Sequence, residues 1–425
     1  MKFKIYTLGC KVNSCDSGII AEILKNAGFE ECGDDEKAEI NIINTCAVTA
    51  ESERKSRQLI RRVRNANPSS FVAACGCWSR VAVDTADVEG EADVIVTHKK
   101  AEDTAEEIIK KVSLFFGLEQ NESAESFIVL GTITESKTRA ALKIQDGCNR
   151  FCTYCIIPYA RASLCSVPLE KVVDDVKELV KAGFKEVVLT GIHIASYNDG
   201  GKKLIDVIEA VSSQTAIQRI RLGSLEPKLV TEDFVRRLAE IKSFCPHFHL
   251  SLQSGSTSVL QRMNRRYTAD EYLSYVDLIR EYMPEAVFTT DIIVGFPAET
   301  EEEFGETVEF VKKVRFAHVH LFPYSRRKGT PAANYPDQLS RKKKHERLKI
   351  LERVCNEVSL NVLSGFVGKE LEVLTEYINA KGLLEGYSAN YLRVEATPSG
   401  RSENEIHSVK IERLDGNILQ GTFND

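Results

Sequence analysis

Cysteines 148, 152 and 155 lie in the run Gly147-Cys148-Asn149-Arg150-Phe151-Cys152-Thr153-Tyr154-Cys155. At this spacing three thiolates can wrap three corners of a cubic 4Fe–4S cluster, and the loop offers no fourth. A structural zinc site closes on four ligands, and an electron-transfer ferredoxin uses four cysteines. A loop with only three leaves one iron open to an outside ligand. The competing reading is a zinc knuckle, because Cys-x-x-Cys pairs are common.

A second trio is dispersed. Cys10, Cys46 and Cys77 occur in Thr7-Leu8-Gly9-Cys10, Asn44-Thr45-Cys46 and Cys75-Gly76-Cys77. Each stands at or just past the end of a strand-like run. In an open parallel sheet those ends border one crevice, where ligands bind, so three remote cysteines can converge. Taken singly, each is equally readable as a buried thiol. Cys75 shares the face of Cys77 if the strand stays extended, but Cys77 lies nearer the loop and follows a flexible glycine. Cys15, Cys32, Cys245 and Cys355 show no ligand spacing.

Twelve cysteines in 425 residues suggest metal or redox chemistry, since a chain this long needs no disulfide staples in a reducing compartment. The composition is globular, 43% hydrophobic and 28% charged. No apolar run is long enough to span a bilayer, and the first residues lack the pattern of a secretory signal. A cytoplasmic location and no membrane partner are expected. The net charge of −6 excludes a uniformly basic nucleic-acid binder. Local patches remain at Arg54–Arg64, Arg265-Arg266, Arg326-Arg327-Lys328 and Arg341–Lys344.

The elements that must position these residues are α/β. Strand-like runs at Lys2–Leu8, Glu39–Asn44 and Phe71–Ala74 alternate with helices, which implies an open parallel sheet over residues 1–116. The helix Glu51–Arg64 has acids first and bases last, as its dipole favours, and Pro68 stops it. Residues 117–136 read as a linker. From Ala140, six apolar runs alternate with helices, at Ala140–Ile144, Val187–Leu189, Ile217–Leu222, Phe248–Leu252, Val287–Val294 and Ala317–Phe322. This predicts a partial (β/α)6 barrel within residues 137–360, ending in a basic helix at 340–362. Residues 363–425 show four short strands, Leu371–Tyr377, Tyr391–Ala396, His407–Leu414 and Gly416–Phe423, and predict a small antiparallel β-barrel.

Over nearly its full length the chain resembles the radical SAM methylthiotransferase family. The motifs that carry the resemblance are Leu8-Gly9-Cys10-Lys11-Val12-Asn13, Asn44-Thr45-Cys46-Ala47-Val48-Thr49, Gly76-Cys77, and Gly147–Cys155 followed by Ile156-Ile157-Pro158-Tyr159. Its three parts would be an N-terminal methylthiotransferase domain, a radical SAM core and a C-terminal TRAM domain. Asn44–Thr49, Leu189-Thr190-Gly191-Ile192-His193 and Met263–Thr268 are similar to the branch acting on N6-threonylcarbamoyladenosine in tRNA. Other branches modify isopentenyladenosine or a ribosomal protein. One departure is Ala162–Val167, where the family continues with glycine and basic residues.

The resemblance implies two 4Fe–4S clusters and S-adenosylmethionine (SAM). One cluster, on Cys148, Cys152 and Cys155, would bind and cleave SAM. The other, on Cys10, Cys46 and Cys77, would present sulfur that a second SAM methylates. Tyr154 is expected near the SAM adenine. Gly191, Ser224, Glu226, Gln253, Asp291 and Gly295 lie at later strand ends, where β/α barrels keep ligands; the bland alternative is helix capping. Gly295 would let backbone approach the nucleoside. Tyr387, Tyr391 and Arg393 are candidate RNA contacts. Implied partners are tRNA, an electron-donor protein and a sulfur source. An RNA-binding iron–sulfur electron carrier is the other function class that fits these residues.

Overall fold

The computed structural model describes residues 1–33, 36–81, 90–118, 132–134 (backbone) and 138–424. Apart from 117–118 and 132–134, the linker expected at 117–136 lies outside the described residues. The chain forms two compact units. The first comprises Met1–Ile133, Ala141–Leu164 and Ser325–Ala333, and the second Thr134–Ala140, Cys165–Tyr324 and Asn334–Asp425.

The first unit is built on a five-stranded parallel sheet in the spatial order Glu30–Glu31, Lys2–Thr7, Ile40–Thr45, Phe71–Gly76, Val94–Ile95. In sequence numbering this is 2-1-3-4-5, a doubly wound order whose switch point falls between the first and third strands. Helices Lys11–Asn26 and Ala101–Phe116 cover one face through Ile19, Ile20, Leu24, Ala105 and Ile108. Helix Ala50–Ala66 covers the other through Leu59, Ile60 and Val63. Buried on both faces, Ile40–Thr45 and Phe71–Gly76 are wholly enclosed, as central parallel strands are. The register pairs Thr7 with Asn44, and Asn44 with Cys75. Three strands therefore end at one level.

In the second unit, strands Glu186–Gly191, Arg219–Leu222, His247–His249, Val287–Val294 and His318–Pro323 run parallel in sequence order. Thr138 precedes them, its carbonyl accepting from the Lys185 and Glu186 N–H groups. Two helices of this unit begin at reciprocal side-chain caps. Thr268 with Glu271 and Thr300 with Glu303 form capping boxes, each satisfying N–H groups that the first turn leaves open.

The terminal barrel has five strands rather than four, closed in the order Glu370–Ile378, Leu384–Ser388, Arg393–Ala396, Ile418–Phe423, Ile406–Asp415. Its pairing is antiparallel except between Arg393–Ala396 and Ile418–Phe423, which run parallel and close it. The unforeseen strand, Leu384–Ser388, contains Gly386, where a Cβ would lie 2.1 Å from the Leu374 carbonyl oxygen. Glycine there permits close strand approach, although its propensity argues against a strand.

Two expectations about basic and aromatic residues are corrected. Tyr387 and Tyr391 stack on each other at 4.8 Å and face inward, with the Arg139 guanidinium 5.1 Å from both rings and Arg221 4.4 Å from Tyr391. Arg393 is held by both oxygens of Glu385. The tyrosines join the terminal barrel to the core instead of offering a free stacking surface. Likewise Arg347 of helix Arg341–Ser364 is buried against Glu299 and Glu301, so the basic run is not wholly a solvent face.

Candidate functional site

Cys10, Cys46 and Cys77 each follow the end of a strand in the first unit, and two glycines set how closely their loops approach. Gly9 has φ +112°, and a Cβ there would lie 3.1 Å from both Cβ and Sγ of Cys46. Gly76 has φ +93°, and a Cβ would lie 2.3 Å from Asn44 Oδ1. Both conformations are costly for any residue with a side chain. At Gly76 the extended strand ends, and Cys77 becomes the first residue of helix Cys77–Val81.

The strand does not stay extended through Gly76, and that turn separates Cys75 from Cys77. Cys75 joins the apolar core under helix Lys11–Asn26, whereas Cys77 belongs to the opposite cluster. Burial pushes the Cys75 thiol up to about 12, where thiolate is scarce. The Cys46 thiol is raised by burial, then by Cys77 and Cys10 as neighbouring sulfurs. Cys10 is exposed as a residue, yet its thiol is raised by surrounding protein and by Cys77. These three sulfurs share one neighbourhood.

Asn13 ties that neighbourhood together. Its Nδ2 donates to the carbonyls of Leu8 and Thr45, both at 2.9 Å, and its Oδ1 lies 3.4 Å from Cys77 Sγ. Asn44 donates to the Asn13 carbonyl at 2.7 Å and to Ser17 at 2.9 Å. Ser56 accepts from the Cys46 N–H at 3.1 Å. Thr49, the last residue of the Asn44–Thr49 motif, caps helix Ala50–Ala66.

The second trio lies in the same unit. The loop begins after Asp146, whose Oδ1 accepts from the Gly147 N–H at 2.7 Å. The Cys148 N–H donates to the Arg161 carbonyl at 3.0 Å, and the Arg150 N–H reaches Cys148 Sγ at 3.5 Å. Phe151 adopts φ +49°, and the Cys155 N–H donates to the Cys152 carbonyl at 2.9 Å. Ala332 donates to the Thr153 carbonyl at 2.9 Å. The loop is thus shaped by the backbone around it, with half-buried Tyr154 in its turn.

Sequence reasoning missed Arg161 and Asp16. Arg161 is 2% exposed; its guanidinium reaches Asp146 Oδ2 at 2.6 Å, Asp16 Oδ2 at 2.5 Å, Asn13 Oδ1 at 3.0 Å and Cys77 Sγ at 3.3 Å. Lys143 also pairs with Asp16. Burial opposes the charge on Arg161, but Asp16, Cys77 and Asp146 outweigh it and raise its pKa. One available signal was the spacing of Asn13, Asp16 and Ser17, which places three polar residues on one helix face.

The other SAM candidates lie in the second unit. Gly191 ends its strand. Glu226 receives His193 Nε2 at 2.6 Å, which links the ends of two strands. Ser224 is exposed in the same segment. Gln253, at φ +76°, donates its N–H to the Asp291 carbonyl at 2.9 Å and accepts from Ile293. Asp291 Oδ2 lies 3.2 Å from His249 Nε2. With His320 they form a group whose ligand-capable atoms lie within 4.8 Å of one another, a two-histidine, one-carboxylate set that suits a divalent cation. Gly295 meets a side chain of the protein itself. Its φ is +71°, and a Cβ would lie 2.5 Å from Lys344 Cγ, so glycine admits the Lys344 stem there. Its N–H donates to Glu299 Oε2 at 2.8 Å.

Residues 142–311 match the family described as Radical SAM superfamily, and residues 2–97 match the one described as Uncharacterized protein family UPF0004. The chain is 36% identical over 417 residues to the threonylcarbamoyladenosine tRNA methylthiotransferase MtaB of Thermotoga maritima, covering 97% of this chain and 94% of that relative. It is 34% identical to the protein of that name from Bacillus subtilis, covering 98% and 95%. The tRNA-2-methylthio-N(6)-dimethylallyladenosine synthase of Caldicellulosiruptor saccharolyticus is also 34% identical, with coverage of 99% and 92%. Among solved structures, the radical S-adenosylmethionine methyltransferase TsrM of Kitasatospora setae matches at TM-score 0.56 and 15% identity, covering 78% of this chain and 76% of that one. This last likeness concerns the fold alone. Among the described residues no helix is long and apolar enough to cross a membrane.

Proposed function

The chain belongs to the radical SAM methylthiotransferase family, and on that premise we propose that it converts N6-threonylcarbamoyladenosine, next to the anticodon of tRNA, to its 2-methylthio derivative. The observation carrying the reading is the gathering of Cys10, Cys46 and Cys77 in the same unit as the Cys148–Cys155 loop. An electron carrier has no use for two incomplete cysteine sets, each short of a fourth thiolate. Relatives named for threonylcarbamoyladenosine, at 34–37% identity, favour that substrate over the dimethylallyl one.

The donor sets fit iron–sulfur clusters: each offers three thiols, and N–H groups from Arg150 and Arg161 already point at sulfur. When bound, the cluster on Cys148, Cys152 and Cys155 supplies the electron that cleaves SAM, and the one on Cys10, Cys46 and Cys77 supplies the site of sulfur delivery. The protein's own part is to bind and orient. Tyr154, Gly191, Ser224, Glu226, Gln253 and Asp291 are assigned to SAM, with His193 fixing the Glu226 carboxylate. Residues 1–116, 137–360 and 363–425 are assigned as the methylthiotransferase, radical SAM and TRAM parts. Exposed Arg341, Lys342 and Lys349 are assigned to meet tRNA phosphates, with an electron donor and a sulfur source as further partners. Each phosphate they neutralise adds to the salt dependence of binding.

In a bacterium deleted for its own enzyme of this type, the chain is expected to restore 2-methylthio-N6-threonylcarbamoyladenosine in digested tRNA. Restoration only of the 2-methylthio isopentenyl nucleoside would move the substrate to the other tRNA branch.

A further inference from the structure

Arg161 engages both cysteine sets directly. Its carbonyl accepts from the Cys148 N–H at 3.0 Å, and its Nε–H donates to Cys77 Sγ at 3.3 Å. We propose that Arg161 is a positioning residue that sets the reduction potential of the cluster on Cys10, Cys46 and Cys77 through this N–H···S bond, a role that rests on reading Cys77 as a cluster ligand.

The bond is imposed by the protein around it. A guanidinium is a planar fork whose donors point in fixed directions. Two of its nitrogens are held by Asp146, Asp16 and Asn13 at 2.5–3.0 Å, so Nε cannot turn away from the sulfur without breaking a buried network. Asp146 is itself fixed through the Gly147 N–H, and Asp16 through Lys143. Asp16 and Asp146 face Arg161 and Lys143, and Arg80 lies within electrostatic reach of the same group. What Arg161 itself adds at Cys77 is a directed hydrogen bond.

Hydrogen bonds to cluster sulfurs are among the levers that set potential. A donor withdraws electron density from the thiolate and favours the reduced, more negative cluster, which raises the potential. Lysine in place of Arg161 keeps a positive charge for Asp16 and Asp146 but has no planar fork, so it loses the directed donor to sulfur. The same geometry gives the residue a second consequence. A shift of the Arg161 backbone moves the first cysteine of the SAM-binding loop, while a shift of its side chain moves the partner of the auxiliary cluster.

The test uses full-length protein carrying Cys148→Ala/Cys152→Ala/Cys155→Ala, reconstituted anaerobically so that only the auxiliary cluster remains. In this background Arg161→Lys is expected to keep the auxiliary iron and to shift the midpoint, followed by electron paramagnetic resonance, to more negative potential. An unchanged midpoint with full iron overturns the proposal. If the variant loses iron, the parent protein labelled with 15N-arginine decides. A 15N coupling to the reduced cluster in pulsed resonance spectra is expected, and its absence overturns the proposal. Cys77→Ala in the same background separates the two layers. Retention of the cluster there refutes Cys77 as a ligand, whereas its loss beside an unchanged Arg161→Lys midpoint refutes only the role of Arg161.

Discussion

Replacing Cys10, Cys46 and Cys77 together by alanine is expected to remove about half of the iron bound after anaerobic reconstitution, by the stoichiometry of one four-iron cluster per cysteine trio. The variant should still form 5′-deoxyadenosine from SAM, because the Cys148–Cys155 loop is shaped by Gly147, Arg161, Ala332 and its own backbone. Methylthio transfer should disappear entirely. Cys75→Ala is the control: Cys75 packs in the apolar cluster with Ile19, Ile42 and Ala73, so this substitution should keep all the iron and most of the transfer. Iron analysis with product quantification reads every arm. Full iron in the triple variant, or the phenotype moving to Cys75, would contradict the assignment of the second trio.

The second large effect is on stability. Glu186 is 1% exposed and receives Arg221 Nε at 2.7 Å and Nη2 at 3.1 Å. Arg139 lies 3.8 Å and Arg219 4.0 Å away. Burial alone would raise the Glu186 carboxyl; Arg221, Arg139 and Arg219 reverse that and hold it below its ordinary value. Glu186→Gln therefore leaves buried Arg221 without its paired carboxylate, while Arg139 keeps Glu376; breaking such a pair costs about 3–5 kcal/mol in comparable sites. Denaturant unfolding followed by a probe in the second unit should show the loss; a change below about 1 kcal/mol would mean that carbonyls such as those of Tyr387 and Glu372 suffice. The sign with pH follows. A depressed carboxylate contributes stability above its unfolded pKa and loses it as pH falls through the folded one, so the wild-type should lose its advantage over Glu186→Gln in acid.

Much of this was legible because cysteine spacing and strand-like runs are local signals. The Gly147–Cys155 run is a nine-residue motif, and the six barrel runs were each near a strand. The rest depended on tertiary partners. Nothing in Tyr387-Ser388 says that the ring will meet Arg139, 248 positions away, so the partners of these half-buried tyrosines could not be read locally. The partner of Arg347, Glu299, lies 48 positions away and could not be read from the basic helix alone. At Gly295, read as a place where backbone approaches the nucleoside, the structure shows the Lys344 stem close by. Arg161 gave no local sign of its importance, since its partners Asn13, Asp16 and Cys77 lie on the far side of the sequence.

The most direct measurement offers three acceptors in one anaerobic reaction with reconstituted protein, SAM, a reductant and sulfide. They are a tRNA bearing N6-threonylcarbamoyladenosine, a tRNA bearing isopentenyladenosine, and a ribosomal protein. Nucleoside and peptide mass spectrometry then reports where the methylthio group arrives. The account predicts 2-methylthio-N6-threonylcarbamoyladenosine as the dominant product, formed together with 5′-deoxyadenosine. A methylthio group found on the ribosomal protein or the isopentenyl nucleoside instead, or 5′-deoxyadenosine formed without transfer to any acceptor, would contradict it.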